Sequence, residues 1–310
     1  MTVSQKSPPA AAPGRFDSAS ERGGRVTPPT ILAGEMTLTA LANEFGTDKG
    51  TIRGASHAYA PFYELLFRPL RDQPISLLEI GLAQPHDRDA ASIPSVTMWH
   101  AYFKKAMIYG ADICDHSHQQ TDWFKFVQVD CGDNQQLERI NRLGVPFDII
   151  IDDGSHASYH QQLTLSRIFK SLKKGGLYII EDLHWQPALE RRLPRVPKTA
   201  QLLADFMHSG RFPPIPGTSE QDWNYVADHI GGVALIDEDL LLSMQHFFNM
   251  RTGQKPEYPH FLDWPFPARV FNRHYARRLW QAGRGFARAA SGTGGWTQNS
   301  TIGFAVIQKV

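Results

Sequence analysis

The sequence predicts an α/β protein: a doubly wound, mostly parallel sheet with a helical N-terminal segment and an irregular C-terminal insertion. Three observations carry that expectation. Short aliphatic runs recur between residues 75 and 183, as strands buried on both faces should. Several intervals between them are long enough for a crossover helix. Each run also closes on a polar or small residue at its carboxyl edge, which is where open parallel sheets bind ligands.

Taken in order, residues 1–33 are rich in Pro, Ala, Ser and Gly and read as a disordered tail. They contain no continuous apolar stretch of the kind a secretory signal needs. Residues 34–74 form the helical segment. In "EMTLTALANEFG", Leu38, Leu41 and Phe45 recur at three and four residues, the stripe of a short amphipathic helix that Gly46 ends. "APFYELLFRPL" repeats the pattern, with Pro61 suited to a first helical turn and Pro69 near the end. Residues 75–310 form the main domain. Its strands are expected in "ISLLEIGL" (75–82), "AMIYGADI" (106–113), "FKFVQVD" (124–130), "FDIIIDDG" (147–154) and "GLYIIEDL" (176–183). The closing "TIGFAVIQKV" supplies a further strand, with "SMQHFFNM" (243–250) as its expected partner. Residues 251–300 lack periodicity and read as an insertion over the substrate side.

Composition narrows the function. The chain has 310 residues, 42% hydrophobic and 20% charged, with 32 basic and 31 acidic side chains and a net charge of +1. That balance creates no field to hold a nucleic acid or an anionic membrane. No apolar run approaches the roughly 18–20 residues that span a bilayer. Two cysteines, Cys114 and Cys131, are too few for a disulfide-stapled secreted scaffold, so a reducing cytoplasm is expected.

The strand ends carry the chemistry. They present Glu79 and Gly81, Asp112, Asp130, Asp152 and Asp153, then Glu181 and Asp182. Asp112 and Asp130 either cap the following helices or accept hydrogen bonds from a nucleoside. "EIGLAQPH" has Gly81 but no complete G-x-G-x-x-G, which argues against a dinucleotide and leaves room for a donor without phosphate, S-adenosylmethionine. Glu181 and Asp182 lie 28 and 29 residues beyond Asp153. If the fourth and fifth strands are neighbours, these three carboxylates meet, and they repel unless a cation sits between them. Oxygen-only ligation suits a hard ion such as Mg²⁺. The alternative is that they cap helices or pair with Lys49 or Arg53. His156, three residues past Asp153, is either a hydrogen-bonded loop residue or, beside a metal, a general base, since its unperturbed pKa of about 6.5 leaves it mostly neutral at pH 7. His160 reads as structural.

"FGTDKG" (45–50), "HAYAPFYELLF" (57–67), "LLEIGL", "MWHAYFKKAMIYGADI" (98–113), "IIIDDGSH" and "KKGGLYIIEDLHW" (173–185) together resemble the metal-dependent macrolide-sugar O-methyltransferases of the mycinamicin and macrocin type. The resemblance covers residues 36–185. It implies a class I methyltransferase fold, S-adenosylmethionine and Mg²⁺ as cofactors, a hydroxylated sugar or glycoside as substrate, and a homo-oligomer. It puts the metal ligands on Asp153, Glu181 and Asp182 and the catalytic base on His156. Donor contacts fall on Glu79, Gly81, Asp112 and Asp130, with Tyr59 and Ser155 near the site. Family members carry a glycine-rich stretch after "LEIG"; here "LAQPHDRDAASIPSV" follows, so the resemblance does not extend to how the methionine end of the donor is held. Beyond Trp185 it carries nothing. The same strand motifs resemble the cephalosporin hydroxylase family, and the altered donor loop also fits a binding protein that has lost catalysis.

Overall fold

The computed structural model describes residues 36–52, 57–82, 92–253 and 302–310. The expected tail at 1–33, Arg53, the stretch 83–91 and all but the first three residues of the expected insertion lie outside the described residues.

Two helices open the described chain. The first, α1 (Leu38–Phe45), starts where the Thr37 side chain accepts the Ala40 N–H and stops at Gly46, whose φ of 71° is the left-handed conformation that ends helices. The second, α2 (Tyr59–Phe67), carries Pro61 in its first turn, and Pro69 falls in a 3₁₀ turn just beyond it. The five expected parallel strands follow as β1 (Ser76–Ile80), β2 (Met107–Asp112), β3 (Phe124–Gln128), β4 (Phe147–Asp152) and β5 (Leu172–Ile180). Helices α3 (Pro94–Tyr102), α4 (Asn134–Arg142) and α5 (Ser158–Ile168) make the crossovers after β1, β3 and β4. Later come α6 (Thr199–Ser209), α7 (Glu220–His229), β6 (Ile230–Asp237), α8 (Glu238–Thr252) and β7 (Ile302–Lys309).

The strands form one sheet in the order β3-β2-β1-β4-β5-β7-β6, parallel except for β7, which runs antiparallel to both of its neighbours. This is the doubly wound, mostly parallel architecture expected from the sequence. Both faces are covered. Leu77, Ile149, Ile151 and Ile179 pack with Leu38, Tyr63, Phe67 and Trp99 of the helices on one side. Leu78, Ile80, Ile150 and Ile180 pack with Leu137, Leu163 and Leu203 on the other. The period of two along β1 places Glu79 on the first of these apolar faces, directly after Leu77.

One pairing differs from expectation. Residues 243–250 lie inside α8, and β7 pairs instead with β5 and β6. The reason is capping: Asp237 accepts the Asp239 N–H, Glu238 and Asp239 occupy the first turn, and Gly253 closes the helix in the left-handed conformation. Leu241 and Asn249, eight residues apart on one helical face, are its buried positions.

Candidate active site at the strand ends

Order in the chain reverses around β1, whose neighbours are β2 and β4. Past this switch, a cavity of about 1140 Å³ opens at the carboxyl ends of the strands. The rim stays tied to the sheet one residue beyond each strand: Asp153 N–H donates to Ile80 O and Glu181 N–H to Asp152 O, at 2.9 and 3.0 Å. Gly81 is needed here. Its φ is +83°, and a Cβ would stand 2.1 Å from the Asp153 carbonyl oxygen. The bare backbone at Gly81 thus lets β1 and the Asp153 turn approach each other.

Lys49, at the cavity wall, centres a buried charge cluster that extends behind it. The loop carrying it is pinned to the start of α2 by the Ala60 N–H, which donates to Lys49 O. The Lys49 ammonium donates to Asp153 Oδ2 (2.5 Å) and Glu181 Oε2 (2.9 Å), and sits 3.5 Å from Glu79 Oε1. The other Glu181 oxygen accepts the Tyr63 hydroxyl at 2.8 Å. Ser95 and Trp99 donate to Glu79 Oε2. Of the expected pairings, then, Lys49 does bind the acids. Glu79, Glu181 and Tyr59 are buried behind the cavity, whereas Gly81, Asp112, Asp130, Asp153, Ser155, His156 and Asp182 line it.

Asp182 faces the opening with several partners. Its Oδ1 accepts the Tyr59 hydroxyl (2.5 Å) and lies 3.5 Å from His57 Nδ1; its Oδ2 lies 3.7 Å from His156 Nε2. His156 Nδ1 is 4.0 Å from Asp153 Oδ1, shut off from solvent and without a hydrogen-bond partner. One edge-to-face contact sets the imidazole against Trp185. Among the described residues, the non-glycine positions at positive φ are Ala58, His156 and Asp182, all at this site. A left-handed L-residue costs about 1–2 kcal/mol, and such strain concentrates where function fixes the geometry.

Asp112 and Asp130 are not helix caps. Asp112 Oδ1 accepts the Cys114 N–H and its Oδ2 the Leu82 N–H; Asp130 Oδ1 accepts the Gly132 N–H. Asp133, three residues later, is what caps α4. Each carboxylate therefore fixes a local turn and keeps lone pairs for a ligand. Ser155 Oγ and His160 Nδ1 are 2.8 Å apart, which locks the loop after β4 to α5. The Cys131 thiol on the cavity wall is pushed up to about 12 by burial and nearby Asp152, so it supplies no thiolate.

Electrostatics show a shortage of positive charge. Burial drives Asp153 up against the pull of Lys49 and His156. Burial and the Asp153 charge hold Glu181 well above the usual carboxylate range despite Lys49. Glu79 reaches about 7, raised by burial and only partly drawn back by Lys49. Burial alone would lower Lys49, but Asp153, Glu181 and Glu79 keep it well above its ordinary value and hence charged. Asp182 goes the other way: burial would raise it, and His57, His156, Tyr59 and His184 more than offset that. A divalent cation fits this deficit. Asp153 and Asp182 offer it oxygens, with His156 beside them: one donor atom from each of the three lies within 4.8 Å of the others.

Sequence reasoning gave Lys49 only as an alternative partner of the acids and missed three participants, Tyr63, His57 and His184. The signal available was the Tyr59/Tyr63 spacing of four, which puts two hydroxyls on one face of α2.

No protein-family model matches the chain. It is 35% identical over 191 residues to an 8-demethyl-8-alpha-L-rhamnosyl tetracenomycin-C 2'-O-methyltransferase of Streptomyces olivaceus, covering 59% of this chain and 49% of that one. To the mycinamicin VI 2''-O-methyltransferase of Micromonospora griseorubida it is 37% identical, over 49% of this chain and 38% of the relative. The match thus spans half or less of these relatives' length. Among solved structures, the MycE methyltransferase of the mycinamycin pathway, in complex with Mg, SAH and mycinamycin VI, superposes with a TM-score of 0.53 at 30% identity, over 65% of this chain and 52% of that one. The seven-stranded sheet described above is the Rossmann-like fold of class I methyltransferases that this neighbour carries.

Proposed function

We propose that the chain is an S-adenosylmethionine- and Mg²⁺-dependent O-methyltransferase acting on a sugar hydroxyl of a glycosylated natural product. The observation that carries this reading is the meeting of Asp153, His156 and Asp182 on the same cavity wall as Asp112 and Asp130. Support comes from relatives named as O-methyltransferases of rhamnosyl tetracenomycin and mycinamicin, and from a neighbour solved with Mg and SAH.

Asp153 and Asp182 would hold Mg²⁺ from the cavity side, with Glu181 as the third ligand that the sequence resemblance implies. When bound, the cation lowers the pKa of an acceptor hydroxyl and orients it, most firmly where a vicinal sugar hydroxyl completes a chelate. His156 takes the acceptor's proton on Nε2, since its Nδ1 is closed to solvent. Asp112 and Asp130 accept hydroxyl or amino groups of the donor's nucleoside with their spare lone pairs. Trp185 and the turn at Gly154 and Ser155 keep the acceptor in line with the methyl group. The near-neutral charge fits a small-molecule partner, with no nucleic acid and no membrane. Among the described residues no helix is long and apolar enough to cross a membrane. Cytoplasmic placement and homo-oligomerisation complete the proposal.

Incubation with methyl-labelled S-adenosylmethionine and a rhamnosylated polyketide tests it. Label should enter the sugar, vanish with excess chelator and return with Mg²⁺. A folded protein that binds no S-adenosylmethionine by calorimetry, or transfer that ignores chelator, contradicts it.

A further inference from the structure

Asp182 offers its two oxygens to two different sets of donors. Oδ2 faces His156; Oδ1 faces His57. His184, two residues along the chain, comes to the His57 side, and one donor atom from each of His57, Asp182 and His184 lies within 4.8 Å of the others. The 3.5 Å between His57 Nδ1 and Asp182 Oδ1 is too long for a good N–H···O bond, whose range is about 2.7–3.2 Å. It matches the edge of a tetrahedron with bonds of about 2.1 Å, which is about 3.4 Å. His184 Nε2 lies at the same 3.5 Å from Glu238 Oε1 in the first turn of α8, and His184 Nδ1 is buried with no hydrogen-bond partner. Two imidazoles with a carboxylate suit a borderline ion such as Zn²⁺ or Co²⁺, whereas Mg²⁺ prefers oxygen alone.

We propose that His57, Asp182 and His184, with Glu238 beside them, form a second cation site for a borderline divalent ion, joined to the Asp153 and His156 set through the shared Asp182 carboxylate. The site is built from three places in the chain: the lead-in to α2, the turn after β5 and the start of α8. Ala58, next to His57, and Asp182 itself both hold left-handed backbone, at φ 57° and 55°. Because one carboxylate serves both sets, filling the histidine site weakens Mg²⁺ binding at the other, and Mg²⁺ weakens the borderline ion by the same factor.

This inference does not rest on methyl transfer, and its test uses neither donor nor acceptor. Co²⁺ is titrated into the metal-stripped full chain in saturating Mg²⁺ while visible absorption is recorded. One Co²⁺ per chain should give a saturable spectrum that Zn²⁺ abolishes. His57→Ala and His184→Ala should each weaken Co²⁺ binding by at least the order of 10- to 100-fold that loss of an outer-shell partner costs, and His156→Ala should leave the spectrum in place. No spectrum at any excess of Co²⁺ over Mg²⁺, or one lost in His156→Ala and unchanged in the other two, overturns the proposal. Should a histidine variant fail to fold, a zinc-edge anomalous difference map of the unsubstituted protein in Zn²⁺ and Mg²⁺ answers the same question. Density between His57, Asp182 and His184 supports the site; density only beside Asp153 and His156 overturns it.

Discussion

Among the described residues Lys49 is the one ammonium serving Glu79, Asp153 and Glu181, so its removal tests the cluster most sharply. Lys49→Met should cost about 3–5 kcal/mol, the penalty for leaving buried charge unpaired. Saturating Mg²⁺ should recover more of that loss than it adds to the unsubstituted protein; an unchanged urea midpoint would count against the account. His156→Asn separates chemistry from strain, because Asn tolerates the left-handed backbone at φ 58°. Methyl transfer should fall by roughly 10²–10⁴ with the melting temperature nearly unchanged, and a wild-type single-turnover rate would remove His156 as the base. Asp152 gives a pH signature. Burial raises its carboxyl from 3.8 to about 7. Folding therefore favours its protonated form, a contribution that is full below about pH 4, declines as pH rises toward 7 and is gone above. Asp152→Asn should become more stable relative to wild type across that interval, by up to a few kcal/mol at about 1.4 kcal/mol per unit, and parallel denaturation curves at pH 4 and 7 would contradict this. Asp153, His156 and Asp182 were legible because strand ends announce themselves in sequence. Lys49 was legible only as an alternative partner, since its contacts cross 104 and 132 residues and depend on how the N-terminal loop folds back.

Elements are held in register by contacts that local patterning does not contain. Gly81→Ala should force β1 and the turn after β4 apart, given the 2.1 Å approach and the positive φ. The backbone term alone is about 1–2 kcal/mol, and the variant should lose Mg²⁺ affinity as Asp153 shifts. Equal stability and metal binding would show that the close approach is dispensable. At the far side, Lys309 in β7 donates to the carbonyls of Phe169 and Lys170 in the 3₁₀ turn after α5 and of Leu172 at the start of β5. Lys309→Met removes a charged donor from all three carbonyls and should lower stability by about 1–3 kcal/mol without altering metal affinity, as denaturant midpoints and calorimetry would read. The five parallel strands were readable because burial on both faces makes each one an uninterrupted aliphatic run. The last pairing was not: 243–250 is apolar enough for a strand, and its caps at Asp237 and Gly253 decide for helix. In β6, Gly231 and Gly232 dilute the aliphatic signal, and most of its side chains are not buried.

At the scale of the molecule, a sheet covered on both faces leaves only the strand ends free for chemistry, and the order reversal around β1 opens the cavity there. The fold collects acids from five strand ends and, among the described residues, sets one buried lysine beside them, so the assembled site is short of positive charge where a cation, a sulfonium donor and a proton-accepting imidazole would act together. A sequence with +1 net charge gives no hint of that local imbalance, which exists only once β1, β4 and β5 lie side by side. The most direct test is anomalous diffraction from crystals grown with Mn²⁺ in place of Mg²⁺ and with S-adenosylhomocysteine. A manganese peak is expected between the Asp153 and Asp182 carboxylates, with the nucleoside lying against Asp112 and Asp130. Nucleoside density in the cavity without any manganese peak at these carboxylates would contradict it.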